Sequence, residues 1–304
     1  IAWILQTFHG WTPTQTTPTG KPIIDEPILK EIGSPISMMF LKCLTVTKML
    51  GMLSQGVNAW LKLVTKSRIH HHCSVATSTH RCAHRHPNLA QVNSDERFRK
   101  LFIPTPGQLM VGADLSGIEL RMLAHYLARY DGGRYADILL NGDIHQVNAD
   151  KIGITRKLVK NVTYAFLYGA GDEKIGLTYD KQLSSSSAKR KGKEIRQAYI
   201  EAIEGLDSLL AGIKSASERG YVLSIDKRKI ILDSPHKALN YLLQSGAGTI
   251  AKQWMLINND HIKELQLCCS QLAFVHDELQ FECEPSHAGD LCSSLVLSST
   301  EAGE

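Results

Sequence analysis

Two short apolar segments of the chain have the pattern of β-strands. The run LMVGADLS begins at residue 109 and lies between Pro106-Gly107 and Ser116-Gly117, as expected for a buried strand bounded by turns. The segment LAFVHDELQFECE (272–284) alternates apolar and polar positions around His276-Asp277, which predicts a β-hairpin with that pair at its tip. One face of its second strand should be buried, and it comprises Leu279, Phe281 and Cys283.

Helical periodicity dominates most of the remaining chain. After a loop-prone entry (1–35), helices are predicted to about residue 66, over 118–130, over 155–168 and over 238–257. The run SSSSAKRKGK (184–193) predicts a solvated loop that enters a long helix. The apolar stripe of that helix is Ile195, Ala198, Ala202, Leu206, Leu209 and Ile213. Helices inserted between strands indicate an α+β sheet domain with a helical insertion.

The most apolar segment of the chain is SMMFLKCLTVTKMLGML (37–53). It is interrupted by Lys42 and Lys48, which predicts a buried helix rather than a membrane span, and no signal peptide precedes it. We therefore expect no membrane partner. The chain begins without methionine and ends in SSTEAGE, which suggests a piece of a longer protein.

Composition narrows the class of protein without identifying a partner. The 304 residues are 43% hydrophobic and 21% charged, as in soluble globular proteins. A net charge of +4 is compatible with a polyanionic partner but is too small to imply one. Seven cysteines fit a reducing cytosol better than a disulfide framework.

The histidine-rich stretch HHHCSVATSTHRCAHRHPNLAQV (70–92) suggests zinc at first sight. Structural zinc sites pair their ligands two to four residues apart, whereas Cys73 and Cys82 stand alone and the chain has no C-x-x-C. The spacing therefore argues against a zinc site here.

Asp114 and Asp277 each follow an apolar run, at the end of the first strand and at the hairpin tip. Carboxylates from two neighbouring strands, with a nearby backbone carbonyl, form an oxygen-only site suited to Mg²⁺. Two such ions stabilise both oxygens of an in-line phosphoryl displacement. The alternative is that each aspartate caps a turn, which is common.

The stretch TRKLVKNVTYAFLYGAGDEKIG (155–176) places two cations and two aromatic rings at steps of four. On a helix, Arg156, Lys160, Tyr164 and Tyr168 form one stripe that could bind a triphosphate and stack its base. Val159, Val162 and Phe166 lie on other faces and would pack the helix. An ordinary amphipathic helix with a solvated basic face would show the same spacing.

Several of these segments, in order, resemble the family A DNA polymerases. DLSGIELR (114–121), RKLVKNVTYAFLYGAG (156–171) and VHDE (275–278) resemble motifs A, B and C of that family. AHYLARYDGG, LNGDIH, YGAGDEKIG and SPHKALNYLLQSGAG resemble in particular the replicative polymerases of short-tailed bacteriophages. The resemblance covers nearly the whole chain.

The resemblance implies roles for individual residues. The metal ligands would be Asp114, Asp277 and the carbonyl of Leu115, holding two Mg²⁺ ions, and Lys160 would donate a proton to departing pyrophosphate. The residues implied to bind the incoming dNTP are Glu119, His145, Arg156, Lys160, Tyr164 and Tyr168. The residues implied to bind DNA are Arg81, Asn88, Gln91, His236, Asn240, Gln244 and His276.

Two of these positions carry expectations about substrate choice. Glu119 matches the residue whose bulk excludes a ribose 2′-hydroxyl, and the hydroxyl of Tyr164 is associated in relatives with acceptance of dideoxynucleotide terminators. Two departures from the family occur where relatives have glycine, at His80 and Lys227. If those glycines require positive φ, the backbone must adjust at both. The histidines of the 70–92 stretch are then expected to line phosphate.

The resemblance also implies a right-hand fold with an antiparallel-sheet palm, inserted helical fingers and a partial helical thumb. The expected divisions are a thumb remnant (1–66), palm (67–130), fingers (131–224) and a C-terminally truncated second part of the palm (225–304). The function implied is DNA-directed DNA synthesis on primer-template DNA in a host bacterial cytoplasm, with any processivity factor outside this fragment. The alternatives are a catalytically weak nucleic-acid-binding fragment and a single-subunit phage-type RNA polymerase, which Glu119 and Glu278 disfavour.

Overall fold

A computed structural model describes all of residues 1–304, which form two compact units. One unit comprises Ile1–His72 and His84–Leu89, and the other comprises Cys73–Ala83 and Ala90–Glu304. The predicted strand at 109–114, the hairpin and the predicted dNTP site all belong to the larger unit.

The smaller unit is mostly helical. Its elements are α1 (Ala2–His9), α2 (Glu26–Ile32), α3 (Pro35–Leu50), a π-helical turn (Gly51–Gln55), α4 (Trp60–Leu63), β1 (Val64–Thr65) and β2 (Arg68–Ile69). The side chains of Asp25 and Ser34 cap α2 and α3, and proline stands in the first turn of each helix. β1 and β2 pair antiparallel. Two further short strands, β3 (His72–Ser74) and β4 (Ala83–Arg85), lie in the histidine-rich stretch.

The prediction that the apolar 37–53 segment is a buried helix is wrong as to burial. The segment is helical through Leu50, but only 6% of the most apolar window within Pro35–Leu63 is buried. Met39 and Leu61 are 65% and 71% exposed. By length and composition alone, this helix could cross a membrane. A single helix of this kind is weak evidence for a membrane protein. Periodicity identifies an apolar helix, whereas burial depends on a packing partner.

The larger unit combines helices with a small sheet. Its elements are α5 (Glu96–Arg99), β5 (Leu109–Asp114), α6 (Ile118–Asp131), α7 (Arg134–Asn141), α8 (Ile144–Ile152), α9 (Arg156–Leu167), α10 (Asp172–Tyr179), α11 (Ser185–Ala202), α12 (Leu206–Ser217), β6 (Tyr221–Leu223), β7 (Lys229–Ile231), α13 (Ala238–Glu264), β8 (Cys269–Val275), β9 (Glu278–Cys283) and α14 (Ala288–Glu301). Short 3₁₀ turns lie at Leu89–Gln91, Pro235–Lys237 and Pro285–His287.

The central sheet has the order β5-β9-β8, with antiparallel pairs throughout. The strand predicted at 109–114 and the hairpin with its tip at His276-Asp277 are both confirmed. The predicted buried face of β9 is also confirmed, because Leu279, Phe281 and Cys283 are at most 2% exposed. Trp254 of α13 and Leu291 of α14 belong to the same core and cover that face.

A second core lies among the helices that follow β5. Leu123 and Leu127 of α6, Val162 of α9, and Tyr199 of α11 are completely buried in it. Residues of α6, α9 and α13 share this core, and α9 also packs on α8 and α10. The core therefore positions the elements that bear most of the predicted nucleotide-binding residues.

Two helix boundaries differ from the sequence expectation. The run predicted as a loop at 184–193 is helical, because Ser184 caps α11 by accepting a hydrogen bond from the N–H of Ser187. Gly192 of this run packs so closely on α10 that a Cβ would lie 1.7 Å from the carbonyl oxygen of Asp172. Most of this run is exposed, as its polar composition predicted, but Ala188 and Gly192 are buried, and composition did not predict that the run is helical. α13 likewise extends seven residues beyond the predicted end at 257.

Candidate active site

The ends of β5 and the β8–β9 hairpin bring Asp114 and Asp277 to one edge of the sheet. Asp114 is the last residue of β5 and lies opposite Glu278, the neighbour of Asp277, in the strand register. The N–H of Leu115 donates a hydrogen bond of 3.0 Å to the carbonyl oxygen of Asp277. The two aspartates that the sequence predicted as partners, 163 positions apart, are therefore joined through paired backbone.

The carboxylates at this edge repel one another. Burial raises the pKa of Asp277 to about 6, with the charges of Asp114 and Glu119 adding to the effect. Burial also raises the pKa of Asp114, and the charges of Glu278 and Glu119 contribute. Raised pKa values in a cluster of acids indicate a site that is short of positive charge.

Arg81 partly compensates this negative charge. Its Nη2 lies 3.3 Å from Oε1 of Glu119 and 3.9 Å from Oδ1 of Asp277, and its side chain is only 15% exposed. The stem of Arg81 passes over Gly248 of α13, where an added Cβ would stand 3.2 Å from its Cγ. Its Nε is buried without a hydrogen-bond partner. Arg81 was predicted to bind DNA, and the structure places it among the predicted metal and nucleotide ligands.

Glu119 connects the carboxylates with the helix α9. It lies in the first turn of α6, directly after the turn that follows β5. Its Oε1 accepts a hydrogen bond of 3.3 Å from the hydroxyl of Tyr168, at the C-terminal cap of α9. Burial raises the pKa of Tyr164, and the charge of Glu119 adds to the effect, so Glu119 faces both predicted tyrosines.

Helix α9 carries the predicted stripe of two cations and two tyrosines on one side and packs through its apolar residues on the other faces. Val159 and Val162 are completely buried and Phe166 is 4% exposed, which confirms that these faces pack. Lys160 and Tyr168 are exposed and Tyr164 is half-buried. Thr155, whose side chain accepts from the N–H of Leu158, caps the helix.

His145 lies beside this stripe. It is on α8, with its ring centroid 6.4 Å from that of Tyr164 and its Nδ1 buried without a partner. Burial lowers its pKa, with further lowering by the charges of Arg156 and Lys160, so the ring is neutral at pH 7. A neutral imidazole here can donate one hydrogen bond to an anion without adding charge.

Asp143 is a site residue that the sequence analysis missed. Its side chain caps α8 by accepting from the N–H groups of His145 and Gln146, and its Oδ2 accepts a 2.7 Å hydrogen bond from Nε of Arg156. The hydrogen bond to Arg156 lowers the pKa of Asp143. An aspartate directly before a helix is a recognisable N-cap signal, although the contact with Arg156 depends on the packing of α8 on α9.

The residues predicted on α13 approach the end of α9. Nδ2 of Asn240 donates a 3.1 Å hydrogen bond to the carbonyl oxygen of Leu167, which satisfies a free carbonyl at the end of α9. His236 is exposed, and its carbonyl oxygen would lie 3.4 Å from a Cβ at Gly169. Gln244 is half-buried on α13.

The other predicted DNA-binding residues have different settings. His276 is at the hairpin tip with φ 59°, and burial lowers its pKa, assisted by the charge of Arg81. Gln91 ends the 3₁₀ turn Leu89–Gln91 and is exposed. Asn88 is exposed and belongs to the smaller unit.

The backbone is left-handed at the two positions where the family resemblance leads us to expect glycine, namely His80 and Lys227. His80 has φ 59° and Lys227 has φ 65°. Nη1 of Arg228 lies 2.6 Å from Nδ1 of His80, and Nζ of Lys252 donates to the His80 carbonyl oxygen at 2.9 Å. Each residue therefore adopts a conformation that disfavours side chains.

The residues at the carboxylate edge fit divalent cations of the magnesium type. Asp114 and Asp277 offer oxygen donors alone, which are the donors that Mg²⁺ prefers. Burial and, after it, the neighbouring carboxylates raise the pKa of Asp277 overall, even though Arg81 lowers it. A cation would relieve this repulsion.

Comparison with known proteins gives matches over nearly the whole chain. The family model described as DNA polymerase family A matches residues 1–299. The DNA-directed DNA polymerase of Escherichia phage T7 is 32% identical, over 90% of this chain and 44% of its own length. A DNA polymerase I of Caldicellulosiruptor bescii is 29% identical, over 72% of this chain and 28% of its own length. The chain thus spans less than half the length of these relatives.

The fold also matches a solved structure. It is the polymerase domain of Pol1 from M. smegmatis, in complex with a DNA primer-template and dNTP. The TM-score is 0.82 at 24% identity, covering 99% of this chain and 57% of the other. The likeness establishes the α+β polymerase fold.

Proposed function

Because the chain belongs to family A of the DNA polymerases, we propose that it transfers dNMP units to a primer 3′-hydroxyl under the direction of a template strand. One observation carries the proposal: Asp114 and Asp277 share one sheet edge, beside Glu119, which contacts Arg81 and Tyr168. The solved neighbour contains primer-template DNA and dNTP, which supports the same substrates here.

Asp114 and Asp277, with the Leu115 carbonyl, would hold two Mg²⁺ ions. When bound, these ions would supply charge neutralisation for attack on the α-phosphorus of the dNTP. The protein residues position the reactants: Arg156, Lys160 and neutral His145 face the triphosphate, and Lys160 donates a proton to the departing pyrophosphate. The reaction relies mainly on positioning and electrostatics.

The sugar and base are held by the aromatic end of α9. Tyr164 would stack on the incoming base, while Glu119 and Tyr168, already hydrogen-bonded to each other, would close the pocket around the sugar. The bulk of Glu119 against a 2′-hydroxyl makes the substrate a deoxynucleotide. The proposed contacts for the DNA are Asn88, Gln91, His236, Gln244 and His276. Asn240 would contact the DNA only after giving up its hydrogen bond to the carbonyl of Leu167.

The proposed divisions remain thumb (1–66), palm (67–130 and 225–304) and fingers (131–224). Family A members act on DNA, so the proposed compartment is the cytoplasm of a bacterial host. Any processivity factor would bind residues outside this chain.

Primer extension tests the proposal. The parent chain should extend a labelled primer-template with Mg²⁺ and dNTPs, and Asp114→Asn should lower the rate by about 10³-fold or more, since removing one group that stabilises transition-state charge can cost that much. Asp260→Asn is the matched control, because Asp260 is 66% exposed on α13 and pairs only locally with Lys263.

Fluorescence anisotropy with the same DNA separates this function from the alternative. Asp114→Asn should bind primer-template as the parent does. A parent chain that binds DNA yet extends no primer would instead support the nucleic-acid-binding fragment.

A further inference from the structure

Outside the active site, one cluster combines the three donor types that zinc accepts. The sulfur of Cys268, a carboxylate oxygen of Glu284 and a ring nitrogen of His287 lie within 4.8 Å of one another. Cys268 directly precedes β8, Glu284 directly follows β9, and His287 ends the 3₁₀ turn before α14. We propose that these three residues, the Cys268 cluster, bind a Zn²⁺ ion.

The backbone around the cluster is already fixed. The N–H of Glu284 donates to the carbonyl of Cys268 at 3.0 Å, and the N–H of His287 donates to the carbonyl of Glu284 at 3.0 Å. The N–H of Cys268 donates to Nδ1 of His287 at 2.8 Å, which closes a ring of three hydrogen bonds. A metal on Nδ1 would replace the third of these bonds, while the first two would continue to hold the main chain of the three residues, and preorganisation of this kind favours affinity.

The hydrogen bond to His287 identifies the ligating nitrogen. Because Nδ1 accepts a proton donor, it carries the lone pair, and the proton of the neutral ring is on Nε2. Zn²⁺ would take the Nδ1 lone pair, and Nε2–H would donate to solvent. The N–H of Cys268 would then donate its hydrogen bond to water instead of His287, since Cys268 is exposed.

The remaining adjustment is a rotation of side chains. Tetrahedral zinc with ordinary bond lengths holds its donors about 3.3–3.6 Å apart. Cys268 and Glu284 are both exposed, so their side chains are free to close the difference from 4.8 Å. Binding releases the thiol proton of Cys268 to solvent, and water occupies the fourth position.

The chemistry favours zinc over magnesium and separates this site from the carboxylate edge. Mg²⁺ takes oxygen ligands, whereas a sulfur, a nitrogen and an oxygen together suit Zn²⁺. The seven residues of β8 place Cys268 about 20 Å from the hairpin tip at Asp277. The bound ion would clip the open end of the hairpin to the start of α14, which is a structural role.

Titration with Co²⁺, a spectroscopic substitute for Zn²⁺, tests the site. The parent for this titration is Cys73→Ser, which lacks the first thiol of the histidine-rich stretch, a further potential metal ligand. In its reduced form, with excess Mg²⁺ to occupy the carboxylates, it should bind one Co²⁺ with a sulfur-to-cobalt charge-transfer band and tetrahedral d–d bands. Zn²⁺ should displace it. In Cys268→Ser the charge-transfer band should be lost, while Cys43→Ser, an exposed cysteine on α3, should titrate as the parent does.

Two further variants check the other ligands. Glu284→Gln and His287→Gln should each raise the apparent dissociation constant for Co²⁺ about tenfold or more, since even outer-shell partners of metal ligands contribute that much. Far-ultraviolet circular dichroism of each metal-free variant should match the parent. Absence of a charge-transfer band in the parent, or its persistence in Cys268→Ser, would overturn the proposal. Neither outcome bears on the proposed polymerase activity, which primer extension measures separately.

Discussion

At the scale of single residues, the structure fixes charged and bulky side chains of the candidate site at defined positions. Glu119 accepts a hydrogen bond from Tyr168 and contacts Arg81, so two side chains hold its carboxylate group in place. His145 is kept neutral by burial, while Arg156 is held by Asp143. Three residues, Glu119, Tyr164 and Lys227, make separate, testable claims, two about substrate choice and one about stability.

The first claim concerns the sugar. Glu119→Ala should incorporate ribonucleotides more efficiently relative to deoxynucleotides, by about tenfold or more, because the side chain that collides with a 2′-hydroxyl is gone. Single-nucleotide extension with rNTP and dNTP measures the ratio of kcat/KM values. Glu119→Gln, which keeps the bulk, should retain discrimination, and an unchanged ratio in Glu119→Ala would refute the steric gate.

The second claim concerns chain terminators. The parent should accept dideoxynucleotides readily, and Tyr164→Phe should reject them about tenfold more strongly, since one hydrogen bond from the phenol is lost. Competition between ddNTP and dNTP in primer extension gives the ratio. Tyr179→Phe, an exposed tyrosine on α10, is the matched control. Strong rejection of terminators by the active parent would contradict this role for Tyr164.

The third claim concerns backbone strain. Lys227 is exposed with φ 65°, a conformation that costs a side chain about 1–2 kcal/mol, so Lys227→Gly should raise the free energy of unfolding by about 1 kcal/mol. Urea denaturation measures it. Lys229→Gly, in the strand β7, should instead destabilise the protein. A loss of stability in Lys227→Gly would show that its side chain has a compensating role.

At the scale of elements, close packing of helices decides what the amino-acid pattern leaves open. α10 and α11 approach each other through Gly176 and Gly192, and Nε of Arg196 of α11 forms a 2.5 Å ion pair with Asp172 of α10. Nη2 of the same arginine donates to the carbonyl of Ala170, which follows α9. The close helix pair thus supports the loop at the end of α9, the helix proposed to bind the nucleotide.

Gly192→Ala should force these helices apart. Its Cβ would lie 1.7 Å from a backbone oxygen, so the expected loss is about 1–3 kcal/mol in the free energy of unfolding, together with weaker dNTP binding through α9. Lys193→Ala, at an exposed position of the same helix, should change stability by less than about 0.5 kcal/mol. Equal stability of the two variants would show that the helices separate at no cost.

At the scale of the whole molecule, the carboxylate cluster couples stability to pH. The pKa of Asp277 rises from its ordinary 3.8 to about 6 on folding. Between these values the folded state binds more protons than the unfolded state, so the contribution of Asp277 to stability is full below pH 4 and is lost as pH rises through 6.

Without divalent cations, Asp277→Asn should therefore raise the thermal midpoint at pH 7.5 and not at pH 4, a gain of about 1–2 kcal/mol after solvent screening. Mg²⁺ should stabilise the parent at pH 7.5 and lose this effect as the pH falls through 6 and Asp277 is protonated. Thermal unfolding with Mg²⁺ or EDTA at both pH values measures this. If the thermal midpoint of Asp277→Asn at pH 7.5 lies below that of the parent, the ionised carboxylate of Asp277 does not destabilise the folded state.

The sequence by itself determined the three strands of the central sheet, the hairpin tip at His276-Asp277, the packing face of α9 and the family, because these depend on short-range periodicity and motif order. Only the tertiary structure decided that Arg81 lies against Glu119, that Asn240 bonds to the end of α9, that α3 is exposed, and that Cys268 meets His287. It also showed that 184–193 is helical, through a cap and a glycine contact with α10. Such contacts join residues far apart in the chain, and their energies depend on distances that spacing along the sequence does not encode.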